Sequence, residues 1–260
     1  MLDPNRQSPI ELRRRQIESP YDFFDRRAKI VSELFEQDRY SIDGIALGMI
    51  ALGSLAELRY ADVTFNSAKD QQRFRRLLTE HCPSFTNRVS IPEMVRRGRA
   101  KPEHKRFEPA ILGRFPVEGN FHVRQVDEDP LVSAFEAWAI STGLSIPMKM
   151  RANDYAGRLF ALYRNSVAHS LQVANGREAS YHIGEVVARP IFYSNHSGQE
   201  VAPNYVRVKV RNADPIEYTR FGVLPVYILQ LLQEAIASLR QWATTNDRDL
   251  FSEYQFNEDA

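Results

Sequence analysis

Residues 45–56 read IALGMIALGSLA, a run without a charge between Asp43 and Glu57. Whether that run crosses a membrane or lies inside a folded core decides the kind of fold. A membrane span takes about 20 apolar residues, so the run is too short and reads as a buried core helix. Gly44, Gly48 and Ala51 fall on one face of it, and small residues there let a second helix pack closely.

The flanking sequence has the same period. Residues 22–39 (DFFDRRAKIVSELFEQDR) set Phe23, Ile30, Leu34 and other apolar residues at helical spacing. Lys69–His81 forms a third helix with Phe74, Leu77 and Leu78 inward, ended by Pro83. Helical character returns at Pro130–Ile140 around Trp138, and a long helix is expected from about Met150 to Val173, with Asn175-Gly176 as its stop. A last apolar helix is predicted from Pro225 to about Ala243.

Three stretches break the helical pattern. Residues 88–106 hold seven Arg/Lys against Glu93 and Glu103, with two prolines and a glycine. They read as an exposed basic loop, either a phosphate contact or a solvated linker. Tyr181–Tyr193, Tyr205–Arg211 and Ile216–Val223 are rich in β-branched and aromatic residues, which predicts a small antiparallel meander over about 181–223. Residues 247–260 carry five acids against Arg248 and read as a frayed acidic tail. The expected organisation is one domain over 1–260, mainly α, with helices at about 22–81 and 129–243 and the meander inserted before the last helix.

At 260 residues, 43% hydrophobic and 26% charged, the chain has the composition of a globular protein with room for a sizeable core. A net charge of +1 gives no global argument for nucleic acid. The single cysteine, Cys82, excludes an internal disulfide and fits a reducing compartment. Together with an N-terminus that lacks the apolar core of a secretory signal, this makes a soluble cytoplasmic protein, without a membrane segment, the expectation. The six histidines show no zinc spacing. No phosphate-binding G-x-x-x-x-G-K-[ST], dinucleotide G-x-G-x-x-G or H-E-x-x-H occurs.

Within the predicted helix of residues 150–173 stands YRNSVAHSLQ, residues 163–172. Arg-x4-His spacing is not distinctive, for it occurs four times: Arg76/His81, Arg99/His104, Arg164/His169 and Arg177/His182. Only Arg164/His169 has helix expected on both sides. At about 100° per residue, Tyr155, Leu159, Leu162, Tyr163, Ser166 and Val167 form a mainly apolar face. Arg158, Asn165, His169 and Gln172 form a polar stripe, and Arg164 lies roughly 140° from His169. Gly157, Ala161 and Ala168 fall between these edges and leave a shallow groove. Arginine offers a planar fork of donors to phosphate oxygens, histidine exchanges a proton near neutral pH, and Asn165 can orient the imidazole. No carboxylate on this face could chelate Mg²⁺, so the chemistry is read as metal-independent and cofactor-free. The competing reading makes Arg164 and His169 ordinary surface residues.

The stretch RNSVAH resembles the R-x4–6-H motif of the HEPN superfamily, in which a polar residue, often Asn, follows the arginine. That resemblance implies a helical bundle, here with the β meander added. It also implies a metal-independent ribonuclease of toxin–antitoxin or other defence systems, with motifs from two chains sharing one cleft in a homodimer. Carried onto this sequence, His169 is the general acid or base, Arg164 stabilises the phosphate, and Asn165 supports them. A second class of function is a non-catalytic RNA-binding module. In NYVRVKVRN, Tyr205, Arg207, Lys209 and Arg211 alternate with Val206, Val208 and Val210, which puts an aromatic ring and three cations on one strand face. A plain solvated face gives the same alternation. The third is a protein regulated by a partner such as a cognate antitoxin, bound through the acidic tail or the basic loop.

Overall fold

The computed structural model describes residues 8–37, 41–61, 67–83, 87–99, 102–117, 129–146, 153–161, 193–194, 200–201, 205–209, 217–221, 225–248 and 250. These residues are mainly helical. Helices α1 (Pro9–Phe35), α2 (Ser41–Arg59) and α3 (Ser67–His81) open the chain. Then come α4 (Ile91–Arg99), α5 (Pro102–Lys105), α6 (Glu108–Arg114), α7 (Val132–Ser141), α8 (Tyr155–Leu159) and, after the strands, α9 (Pro225–Asn246). Among the described residues no helix is long and apolar enough to cross a membrane.

The run around residue 50 is the central helix of the bundle. Met49, Leu52 and Leu55 of α2 are fully buried, and α1, α3 and α9 pack round it. Its small residues do what their spacing predicts: a β-carbon built on Gly48 would stand 2.7 Å from Ile228 Cγ2 of α9, and one on Gly44 would run into the Phe35 ring.

Helix α1 starts well before residue 22. Ser8 accepts the Glu11 N–H, the Glu11 carboxylate reaches back to the Ser8 N–H at 2.8 Å, and Pro9 follows the cap; this reciprocal box fixes the first turn. The buried stripe is Tyr21, Phe24, Ala28 and Val31, whereas Phe23 and Ile30 are 43% and 39% exposed. The inward face is therefore rotated from the one expected. Arg240 of α9 bridges Glu18 at 3.1 Å and Asp25 at 2.6 Å on α1. The start of the acidic tail is held too, for Arg13 binds the Asp247 carboxylate and carbonyl and Leu250 is buried.

The expected basic loop at 88–106 is largely helix. Ile91, Met94 and Val95 recur at helical spacing and are buried on α4, together with Gly98. The cations fall between these positions, so counting charge concealed an amphipathic face. With Val89, Phe107, Ile111, Phe135, Ala139 and Ile146 these residues make a second apolar cluster, smaller than the one enclosed by α1, α2, α3, α9 and the start of α8.

The strands form two separate antiparallel pairs. β1 (Tyr193–Ser194) pairs with β2 (Glu200–Val201), and β3 (Tyr205–Lys209) with β4 (Glu217–Phe221). The first strand of the expected meander lies outside the described residues except for Tyr193.

Candidate functional site

The chain that leads into the Arg164 motif is held by a polar clasp between the two apolar clusters. Residues 87–90 form its middle segment. Val89 N–H donates to the Pro130 carbonyl at 3.0 Å and Val132 N–H to the Asn87 carbonyl at 3.1 Å. On the other edge Ser90 N–H donates to the Asn153 carbonyl at 2.9 Å and Tyr155 N–H to the Arg88 carbonyl at 2.8 Å. Isolated bridges Arg88↔Leu131 and Val89↔Asp154 thus join three distant segments.

Two helices spring from this clasp. Helix α8 begins at Tyr155, later than the predicted Met150, because Asp154 caps it: its side chain accepts the Gly157 N–H at 2.6 Å. The same carboxylate forms an ion pair with Arg75 of α3. Helix α4 begins beside it, with the Ser90 hydroxyl accepting the Glu93 N–H at 3.4 Å and Asp129 Oδ1 accepting the Ile91 N–H at 3.3 Å. Asp129 joins the two starts, since its Oδ2 accepts the Tyr155 hydroxyl at 2.8 Å and its carbonyl accepts from Arg88.

One turn into α8, Arg158 Nη2 meets Glu93 Oε2 at 3.1 Å, with side chains 3% and 1% exposed. The helical wheel puts Arg158 on a polar stripe; in the structure its side chain is buried. The reason is Glu93, 65 positions earlier in the sequence, which supplies the charge an interior arginine needs. Phe160 packs its ring 5.6 Å from that of Phe74, and Phe160 and Ala161 continue the helix with π-helical geometry. Glu93, Asp129, Asn153 and Ser90 are all sealed from solvent, so this cluster orients the backbone and exposes no acid or base to a substrate.

Arg164, Asn165 and His169 lie outside the described residues, as does Arg211. Tyr205, Arg207 and Lys209 take alternate positions along β3, in register with Phe221, Thr219 and Glu217 of β4. Of the other Arg/His pairs, Arg76 binds Glu80 at 2.7 Å while His81 Nδ1 sits 2.9 Å from the Ser238 hydroxyl, so the two do not converge. Burial holds the His81 imidazole below its usual pKa. Cys82 is buried against the Leu231 carbonyl, and burial pushes its thiol well above the usual range. It is not an activated nucleophile.

Among the described residues no three His, Cys, Asp or Glu side chains converge as a metal site would require. Sequence reasoning passed over Glu93, Asp129 and Asp154. Two local signals were present: Ser90-Ile91-Pro92-Glu93 has the spacing of a helix start, and Asp154 precedes an apolar helical run. Comparison with protein-family models, curated proteins and solved structures finds no match to the chain.

Proposed function

We propose that the chain is a metal-independent RNA endonuclease of HEPN type, with a helical bundle as its scaffold and Arg164, Asn165 and His169 as its active residues. The observation that carries the reading is the clasp at residues 153–161. The segment leading directly into RNSVAH starts from a capped helix fixed to α3, α4 and Asp129. A catalytic constellation needs such a rigid base, because misplacement by about 1 Å costs on the order of 100-fold in rate.

In this reaction His169 takes the proton from a ribose 2′-hydroxyl, and the 2′-oxygen attacks the adjacent phosphorus. Arg164 stabilises the charge of the phosphorane. The bond to the 5′-oxygen breaks and that oxygen receives a proton, leaving a 2′,3′-cyclic phosphate and a 5′-hydroxyl. In a symmetric homodimer the second His169 supplies that proton. A cytoplasmic toxin–antitoxin or defence setting, with a cognate antitoxin as regulator, follows from the same resemblance.

Purified protein incubated with single-stranded RNA in EDTA tests this. Wild type should give cyclic-phosphate ends, and His169→Ala should lose about 100-fold or more. No cleavage by wild type, or equal cleavage by the variant, rejects it.

The register of β3 favours a second reading, a non-catalytic RNA-binding module. Tyr205, Arg207 and Lys209 occupy alternate positions of the β3–β4 ribbon, and Arg211 continues the series in the sequence. On this reading Arg207→Ala/Arg211→Ala abolishes RNA binding, while His169→Ala leaves it intact.

A further inference from the structure

Arg59 closes α2, and its guanidinium lies over two rings, 3.7 Å from the centre of Trp242 on α9 and 4.9 Å from that of Tyr60. Among the described residues it meets no carboxylate and no hydrogen-bond acceptor, and its Nε is buried without a partner. A half-buried cation is costly to leave uncompensated. Stacking on the rings offsets part of that cost, but it does nothing for the donor fork at the edge of the guanidinium.

The carboxylate beside it is engaged elsewhere. Glu80 Oε1 accepts Arg76 Nε at 2.7 Å, and its Oε2 accepts the Tyr60 hydroxyl at 2.8 Å. Arg76 in turn lies over the same Tyr60 ring, 4.6 Å from its centre. Two guanidinium groups against one carboxylate leave this cluster positive. His81 feels the imbalance: burial holds its imidazole pKa down, Glu80 pulls it up, and Arg59 pushes it down again. From α9 the Ser238 hydroxyl stands 2.9 Å from His81 Nδ1, and His81 Nε2 is buried without a partner. Glu234, also on α9, acts on the adjoining Cys82.

We propose that Arg59, fixed between Trp242 and Tyr60, binds a phosphate monoester where the ends of α2 and α3 meet α9. A guanidinium presents paired N–H donors that fit two oxygens of a phosphate or a carboxylate, and stacking on the rings sets its plane in advance. The excess of Arg59 and Arg76 over Glu80 favours the doubly charged monoester over a carboxylate. That group is carried by a small phosphorylated molecule or by the 5′-phosphate end of an RNA strand. The site involves neither Arg164 nor His169, so it does not depend on the ribonuclease reading.

The test follows the His81 titration by NMR and, with Trp138→Phe in place, the fluorescence of Trp242 alone, at constant ionic strength. Inorganic phosphate and adenosine 5′-monophosphate are the small probes, with acetate as the carboxylate control. A 2′-O-methylated single-stranded RNA, with and without a 5′-phosphate, is the strand probe. The protein with native Arg59 should respond saturably to both small phosphates and little to acetate. Its His81 midpoint should rise, because the bound anion cancels the Arg59 charge. Arg59→Met should weaken binding at least about tenfold and abolish the His81 shift. Arg59→Lys, which keeps the charge without the fork, should fall between, and it decides alone if Arg59→Met does not fold. A 5′-phosphorylated strand that binds at least as tightly as the mononucleotide identifies an RNA end as the ligand. Weaker strand binding identifies a small phosphate monoester. No saturable response with native Arg59, equal binding by the Arg59 variants, or acetate bound as well as phosphate overturns the proposal and leaves Arg59 a structural cation stacked on Trp242. So does Arg59-dependent RNA binding that is equal with and without the 5′-phosphate, since the site would then read the backbone.

Discussion

Burial at His81 and Cys82 acts on adjacent residues in opposite directions for one reason. It disfavours the charged form of each, lowering the imidazole pKa and raising the thiol pKa. For His81 the neighbouring Glu80 pulls the other way, but burial is the larger effect. The consequence for stability has a definite sign. Near pH 7 the histidine is mostly neutral in both states. As pH falls through about 6.5, the unfolded chain takes up a proton that the folded chain resists. His81 therefore stabilises the fold above that pH and loses the contribution as pH falls toward its lowered folded value. His81→Gln, which can still hydrogen-bond Ser238, should show a smaller fall in unfolding free energy between pH 7 and 5 than wild type. Urea titrations at several pH values measure this, and equal slopes for the two proteins would sink it.

Helix α2 shows how far a single residue type sets the distance between elements. With the built β-carbon of Gly48 at 2.7 Å from Ile228 Cγ2, Gly48→Ala forces α9 or the Ile228 side chain to move. Overpacking of that kind costs about 1–3 kcal/mol, against a gain of about 1 kcal/mol from replacing a helical glycine. The net expectation is destabilisation in the wild-type background and stabilisation in an Ile228→Ala background, where the obstructing methyl is gone. Equal effects in both backgrounds would exclude the close approach as the cause. This contact was legible in the sequence, as were the inward Phe74, Leu77 and Leu78 of α3 and the spans of α7 and α9, because each depends on local periodicity. The inward face of α1 was not, since apolar residues at helical spacing occupy two faces and only packing selects Tyr21, Phe24, Ala28 and Val31. Helix α4 was hidden by its charges, although Ile91, Met94, Val95 and Gly98 stand at i, i+3, i+4 and i+7. The clasp was the least legible. Arg158 meets Glu93, and Tyr155 meets Asp129, across sequence separations that no local pattern encodes.

At the scale of the whole molecule, the described interior is two apolar clusters joined by a polar seam. Tyr155 stands on that seam: its ring is fully buried in the larger cluster, while its hydroxyl donates to Asp129, whose backbone neighbours carry α7 of the smaller one. The two tryptophans report on the two sides. Trp138 packs edge-on to Phe115 at 5.2 Å in the smaller cluster, and Trp242 lies under Arg59 at 3.7 Å in the larger. Fluorescence of Trp138→Phe and Trp242→Phe variants therefore follows each side alone. If the seam couples the clusters, both probes should give one urea transition in otherwise wild-type protein. Tyr155→Phe removes one donor from a sealed carboxylate, at a cost of about 1–3 kcal/mol. That loss falls on the side that depends on Asp129, which orders the start of α4 through the Ile91 N–H. The Trp138 transition should then move to lower urea than the Trp242 transition. A common shift of both would show that the clusters unfold as one unit whatever the state of the seam. A split would mean that the base of the Arg164 segment is secured by the weaker half of the molecule.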